Sequence, residues 1–231
     1  MDNFINPQLK ETSDKSFTLI HPVYNQTYHS INGALTESVC VFISAGLNYL
    51  VEKNNYKINI LELGLGSGLN AALTLMFAQQ NPSTTVNYYS LEPYPISTEI
   101  AEKLEYWKIL DDVNSKSNFL KIHSSPFDQQ NQITEFFTLE KSRTNFLEYH
   151  SKEQYNLVYF DAFSPQAQPE LWTIEAFTCL NSLMITGGIM VTYCAKGEVK
   201  RNLKQCGFLV ESLPGPPGKR EMIRATKQKD N

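Results

Sequence analysis

The chain has 231 residues, 42% apolar and 12% aromatic, with 19% charged residues and a formal net charge of −4. That is enough apolar material for a sizeable core; it excludes global disorder and points to one large domain, with or without a small appendage. The sequence holds no run of about 18 consecutive apolar residues. The start, Met1 to Pro7, is neither basic nor apolar in the manner of a leader, so a soluble cytoplasmic protein without membrane contact is expected. Cys40, Cys179, Cys194 and Cys206 form no C-x-x-C, and His21, His29, His123 and His150 lack ligand spacing, so no metal site is expected.

Charge is unevenly spread. From Lys196 to Asn231 nine Lys or Arg stand against four Asp or Glu, whereas the rest of the chain is acidic. A basic end on an acidic body is either a footprint for a polyanion such as RNA or an ordinary solvated face.

In chain order, Phe17 to Ser30 is expected as a hairpin or extended arm, and Leu35 to Val51 as an amphipathic helix. Residues 1–57 are read as an extension packed on a catalytic domain that spans 58–231. The domain opens with Ile58 to Leu63, a β-branched run that ends in glycines, and a helix near Ala71 to Ala78. Val86 to Glu92 is a second strand, Ser97 to Trp107 a helix, and Phe119 to Ile122 a weaker third strand. A helix is expected near Ile133 to Leu139. Tyr155 to Asp161 is the clearest buried strand, and Leu171 to Met184 a helix. Gly187-Gly188 is read as a turn into the strand Ile189 to Tyr193. Lys196 to Gln205 is helical, and Phe208 to Glu211 and Glu221 to Thr226 form a closing hairpin. Strands alternating with helices imply a doubly wound, mostly parallel α/β sheet. Seven strands with the last reversed is the Rossmann-like layout of a class I S-adenosylmethionine-dependent methyltransferase.

The glycine cluster Glu62-Leu63-Gly64-Leu65-Gly66-Ser67-Gly68-Leu69-Asn70 sits between a strand and a helix, where α/β sheets bind ligands. A dinucleotide fingerprint wants a small residue where Leu69 stands, and no Gly-Lys-Ser/Thr follows to make a phosphate loop. Glu62 would repel phosphate and suits a cationic ligand. Glu92-Pro93 ends the second strand, where a carboxylate can accept both ribose hydroxyls. Cation plus ribose without phosphate describes S-adenosylmethionine. After the fourth strand, Asp161-Ala162-Phe163-Ser164-Pro165 reads as an acceptor pocket, Asp161 holding the protons of an amine and Phe163 stacking on a planar substrate. The bland alternative is a polar turn with a chance aromatic.

These motifs resemble the methyltransferase domain of the bifunctional tRNA 5-methylaminomethyl-2-thiouridine biosynthesis proteins, and more closely its stand-alone forms. The resemblance runs from about Tyr24 to Ala225. It rests on Tyr28-His29-Ser30 with Gly33 to Ser38, on Glu62 to Asn70, on Asp161 to Pro165, on Pro169-Glu170-Leu171-Trp172-Thr173 and on Gly218-Lys219-Arg220-Glu221-Met222. It implies methylation of the exocyclic amine of 5-aminomethyl-(2-thio)uridine at the tRNA wobble position. S-adenosylmethionine would be held by Glu62, Gly64, Gly66, Gly68, Asn70, Glu92 and Pro93. Asp161 would be catalytic, and Tyr28, Phe163, Ser164, Pro165, Tyr193, Lys196, Lys219 and Arg220 would meet the tRNA anticodon loop.

Two departures stand out. Ser124-Ser125-Pro126-Phe127-Asp128 replaces the Gly-Asp that relatives often carry for adenine. No flavin-dependent oxidase domain is present in the 231 residues, so separate enzymes would supply the aminomethyl substrate. Tyr28 and Glu37 are read as a lid or as hairpin packing, Trp172 as core or a stacking platform, and Tyr193 as pocket wall or core cap. Lys227 and Lys229 are read as solvated. Competing readings are an aminopropyltransferase of the spermidine synthase type, whose second carboxylate would stand where Ser164 does, a small-molecule or protein N-methyltransferase, and a non-catalytic cofactor- or RNA-binding subunit.

Overall fold

The computed structural model describes residues 4–53, 56–110 and 114–229; residues 1–3 of the extension and Asp230 of the basic end lie outside the described residues. Strands β1 (Gln8–Glu11) and β2 (Phe17–Ile20) pair as an antiparallel hairpin. The hairpin lies earlier than the sequence suggests, and residues 21–30 run on as an irregular arm tied back by the Ile20–Thr27 bridge. Helix α1 is continuous over Ala34–Glu52, with Val39–Asn48 wound as π helix. Asp14 of the hairpin turn accepts from the Thr36 backbone N–H at 2.9 Å, supplying from afar the cap that Gly33 cannot. By length and composition α1 is apolar enough to cross a membrane, but half of it is buried inside the protein. At Gly46 it lies so close to the sheet that a Cβ would stand 3.1 Å from Val191 and 3.3 Å from Leu157.

The main sheet has eight strands in the order β5-β6-β4-β3-β7-β8-β10-β9. These are β3 (Lys57–Leu63), β4 (Thr85–Leu91), β5 (Gln130–Thr134), β6 (Phe137–Ser142), β7 (Tyr155–Phe160), β8 (Met184–Thr192), β9 (Phe208–Pro214) and β10 (Glu221–Lys227). Strands β6, β4, β3, β7 and β8 are parallel, while β10 runs against both β8 and β9. Helices α2 (Leu69–Gln80), α3 (Thr98–Leu104), α4 (Ser115–Ser124), α5 (Ile174–Leu183) and α6 (Gly197–Gln205) complete it. Alternation sends Ile58 and Ile60 of β3 into a core with Val41, Phe42 and Leu69. Leu61 and Leu63 enter a second core with Phe177, Leu180 and Val199. Both faces are therefore covered, as a parallel sheet requires, and each fully buried Leu, Ile or Phe contributes about 1.5–3 kcal/mol.

Three expectations are corrected. Phe119 to Ile122 is not a strand: Ser115, Phe119 and Ile122 fall on one buried face of α4, and four apolar-rich residues are too few to tell the periods apart. Ile133 to Leu139 is not a helix but most of the hairpin β5–β6, whose second strand is the true third strand. There Phe137, Leu139 and Lys141 alternate inward, and the buried lysine, 1% exposed, hides the period. Gly187-Gly188 is not a turn but an irregularity inside β8, where register against β7 shifts and a Cβ on Gly188 would meet the Ile185 carbonyl at 2.9 Å.

Candidate functional site

A cavity of about 820 Å³ opens at the carboxyl ends of β3, β4 and β7, where such sheets bind ligands. Its floor is the loop after β3. Gly64, Gly66 and Gly68 all have positive φ, at 89°, 53° and 75°, conformations that only glycine adopts cheaply. At Gly66 a Cβ would stand 2.7 Å from the Tyr28 ring, and at Gly68 it would meet His123 Nε2 at 2.5 Å. Glu92 fastens the floor: one oxygen accepts the Gly66 N–H at 2.7 Å and the other the Tyr94 N–H at 2.9 Å. Burial raises its carboxyl above the usual range, and the backbone bonds and Lys141 oppose that rise. Lys141 Nζ donates to the His123 carbonyl at 2.7 Å, and burial pulls its ammonium down to about 8.

Glu62 is not at the surface of the cavity. It is fully buried, accepts from Asn70 Nδ2 at 3.1 Å and Ser90 Oγ at 3.0 Å, and is pushed well up by burial and then by Asp161. Asn70 Nδ2 also donates to Asp161 Oδ2 at 2.8 Å, bridging two carboxyls that would otherwise repel. Asp161, the first residue after β7, lines the cavity. Burial, then the charge of Glu37, lift its carboxyl to about 7, against the Asn70 bond and Lys219. Beside it Phe163 is walled by His21, Tyr24 and Tyr28, with ring centroids 5.1, 5.0 and 5.2 Å away. Its backbone is pinned by Gln168 Oε1, which accepts its N–H at 2.8 Å, and by Trp172 Nε1, which donates to its carbonyl at 2.9 Å.

The roof comes from distant segments. Gln26 Nε2 donates to Ser164 Oγ at 2.9 Å, tying the arm to the loop after β7. Buried His29 meets Ser67 Oγ at 2.8 Å, and burial holds its imidazole down to about 4. Lys219 Nζ is paired with Glu37 and lies 3.8 Å from the centroid of the Tyr193 ring. Tyr193 OH donates to the Ala162 carbonyl at 2.9 Å.

Of the residues singled out in the sequence, Tyr28, Gly64, Gly66, Glu92, Pro93, Asp161, Phe163, Ser164, Tyr193 and Lys219 line this cavity. Glu62, Gly68, Asn70 and Pro165 do not; Glu62 and Asn70 lie beneath the floor, and Gly68 ends the loop against His123. Ser125 and Asp128 are engaged with Lys121 and Ser142, away from the cavity. Lys196 and Arg220 are exposed outside it. Glu221 does not pair with Arg220 but with Lys200, at 2.5 Å. Lys227 is not solvated: it is buried and donates to the Asn181 and Met184 carbonyls at the end of α5, where a cation meets the helix dipole. Arg224 is bound to Glu211 over the Tyr49 ring. The exposed cations on this side are thus Lys196, Arg201, Lys204, Arg220 and Lys229. Sequence reading missed Gln26, His21 and Gln168, polar side chains that carry no spacing signal.

A family described as S-adenosyl-L-methionine-dependent methyltransferase matches residues 117–228. The fold is that of a class I S-adenosylmethionine-dependent methyltransferase. The chain is similar to the tRNA 5-methylaminomethyl-2-thiouridine biosynthesis bifunctional protein MnmC of Idiomarina loihiensis, at 28% identity over 88% of this chain and 36% of that protein. The corresponding protein of Cupriavidus metallidurans is 29% identical over 88% of this chain and 32% of its own length. The chain therefore spans about a third of the curated relatives it matches. Among solved structures, MnmC2 from Aquifex aeolicus shares the fold at a TM-score of 0.76 and 24% identity, covering 100% of this chain and 74% of that one. Spermidine synthase from Thermotoga maritima shares it at 0.53 and 12%, covering 100% and 75%.

The family description that matches residues 117–228 names S-adenosylmethionine as cofactor, and the cavity fits it. Among the described lining residues, five are carboxylic (Glu37, Glu92, Glu148, Asp161, Glu170) and Lys219 is the one Lys or Arg. That balance suits a ligand bearing a sulfonium and an ammonium. Glu92 uses one acceptor position on each oxygen for the backbone and keeps others for hydroxyls.

Proposed function

We propose that the chain methylates the exocyclic amine of 5-aminomethyl-(2-thio)uridine at the wobble position of tRNA, giving the 5-methylaminomethyl nucleoside. The reading rests on one observation, an acidic cavity with a ring-walled Phe163 beside Asp161. The names of the relatives supply the substrate. S-adenosylmethionine supplies a methyl group on a positively charged sulfur. Gly64, Gly66, Glu92 and Pro93 would hold it, with Tyr28 above the loop.

Transfer of that group needs in-line alignment more than covalent help. Phe163 offers its face to the uracil ring and leaves the aminomethyl arm beside Asp161. The amine arrives as an ammonium and must lose a proton before its lone pair can attack. A carboxyl that titrates near 7 accepts that proton close to neutral pH. As the N–C bond forms, the C–S pair returns to sulfur, and the product amine carries the charge. The exposed Lys196, Arg201, Lys204 and Arg220 would meet phosphates, while the target base, already unpaired in an anticodon loop, enters the cavity.

The test is methyl transfer from labelled S-adenosylmethionine to tRNA bearing 5-aminomethyluridine, read by nucleoside mass spectrometry. Conversion at the wobble position is expected. Unchanged tRNA with normal cofactor binding would overturn the reading. An acidic lining also suits a small polyamine, so putrescine and spermidine in the same assay test that second acceptor class.

A further inference from the structure

Lys219 is placed with unusual care for a residue in a surface hairpin. Its loop, Pro214-Gly215-Pro216-Pro217-Gly218, closes on itself, Lys219 N–H donating to the Pro216 carbonyl at 2.9 Å and Gly215 N–H to that of Arg220 at 3.2 Å. Gly218 has φ 84° and is pressed against Asn32 of the arm. This rigid loop aims Lys219 inward, so it is not available to a phosphate outside. Its ammonium sits on the Tyr193 ring and pairs with Glu37, which is 3% exposed and also accepts the Ser30 N–H at 2.8 Å. Glu37 enters from α1, Lys219 from the β9–β10 loop and Asp161 from the end of β7. All three line one cavity.

We propose that the Glu37–Lys219 ion pair is a positioning device for Asp161, in which Lys219 supplies the single Lys or Arg charge among the described residues of the cavity wall and keeps the neighbouring carboxylates able to act as separate groups. Remove Lys219 and Glu37 is left as a buried carboxylate without its cation in the cavity it shares with Asp161. Remove Glu37 and Lys219 faces Asp161 alone. The two partners of one salt bridge thus act on Asp161 in opposite directions, with Glu37 raising its carboxyl and Lys219 lowering it. The other titratable groups electrostatically coupled to Asp161 are Glu62 of β3, Tyr88 of β4 and Tyr193 after β8. The two tyrosines stay neutral and none of these groups is a cation, so Lys219 supplies the positive charge that Asp161 feels. The role in transfer rests on the proposal that Asp161 accepts the proton of the amine, but the electrostatic device itself does not.

The test is a 13C carboxyl NMR titration of the protein with labelled Asp, the Asp161 signal being assigned by its loss in Asp161→Asn. Lys219→Met should raise the Asp161 midpoint by about one pH unit, and Glu37→Gln should lower it by about as much. The double variant Glu37→Gln/Lys219→Met, which leaves no unpaired charge, should fall between them and guards against a misfolded single variant. Midpoints that stay together, or that move the same way in both single variants, would overturn the proposal. The acid limb of methyl transfer should follow the same shifts. Correct NMR shifts without transfer to tRNA would leave the device standing and sink the substrate reading, whereas transfer with unmoved midpoints would do the reverse.

Discussion

The floor and the roof of the cavity are held by different kinds of contact. On the floor, the Glu92 carboxylate takes two backbone N–H groups and the glycine loop follows β3 by local geometry. On the roof, side chain meets side chain across long stretches of sequence, Gln26 with Ser164 and Lys219 with Glu37. The floor is fixed by the strands that carry it. The roof exists only when the arm, α1 and the β9–β10 loop are in place together. Damage to the floor should therefore cost cofactor affinity, and damage to the roof should change the acceptor step while cofactor still binds.

Asp161 belongs to both, and changing it should have the largest effect. Asp161→Asn should lower transfer about 10²–10³-fold with little change in cofactor affinity by calorimetry; loss of affinity instead would place Asp161 on the cofactor. The same variant should be more stable by about 1 kcal/mol, because it removes a charge that burial disfavours.

Acid should separate the two layers next. The folded-state values of His29 and His123 lie at about 4 and about 3, below the ordinary 6.5, chiefly through burial. Between 6.5 and those values the unfolded chain takes up protons that the folded chain refuses, so stability falls as pH falls. Each imidazole removes about 1.4 kcal/mol per pH unit over that span, so the loss across both should reach about 6 kcal/mol by pH 4. Asp161 works in the opposite sense: its value is raised to about 7, so its share of stability falls as pH rises from 3.8. Denaturant midpoints measured from pH 7.5 to 4 in the wild type and in Asp161→Asn separate the two, and a flat profile in Asp161→Asn would refute the histidine account.

A smaller change is expected at Gly66. Gly66→Ala forces a Cβ into the Tyr28 ring at a left-handed φ, and should weaken cofactor binding about tenfold; Tyr28→Ala should restore part of that. The smallest effect lies outside the cavity. Arg201→Ala/Lys204→Ala should weaken tRNA binding modestly and reduce the slope of log affinity against log salt by about two. An unchanged slope would move the tRNA to another face.

The floor was largely legible in the sequence because its signals are local. A β-branched run ending in Gly64-Leu65-Gly66, and Tyr155 to Asp161 running out of a buried strand, announce strand ends wherever they occur. Even there Glu62 is ambiguous, since a carboxyl two residues before the glycine reads the same whether it faces the ligand or is sealed beneath the loop. The roof was barely legible. Lys219 looked like part of a basic surface, and only its partner, 182 positions away in sequence, shows which way it points. The third strand was hidden for a related reason, because Lys141 occupies an inward position that pattern reading reserves for apolar residues.

Strand β10 sits between β8 and β9, which do not pair with each other. During synthesis β8 is therefore left with an open edge, and β9 with no neighbour at all, until β10 emerges. Folding from the N-terminus can complete the floor early, but the half of the sheet that carries Lys219 must wait for residues 221–227. A nascent chain halted before them would display β9 unpaired and an open edge along the Ile189-to-Thr192 segment of the buried core, and would be a target for chaperones or proteases.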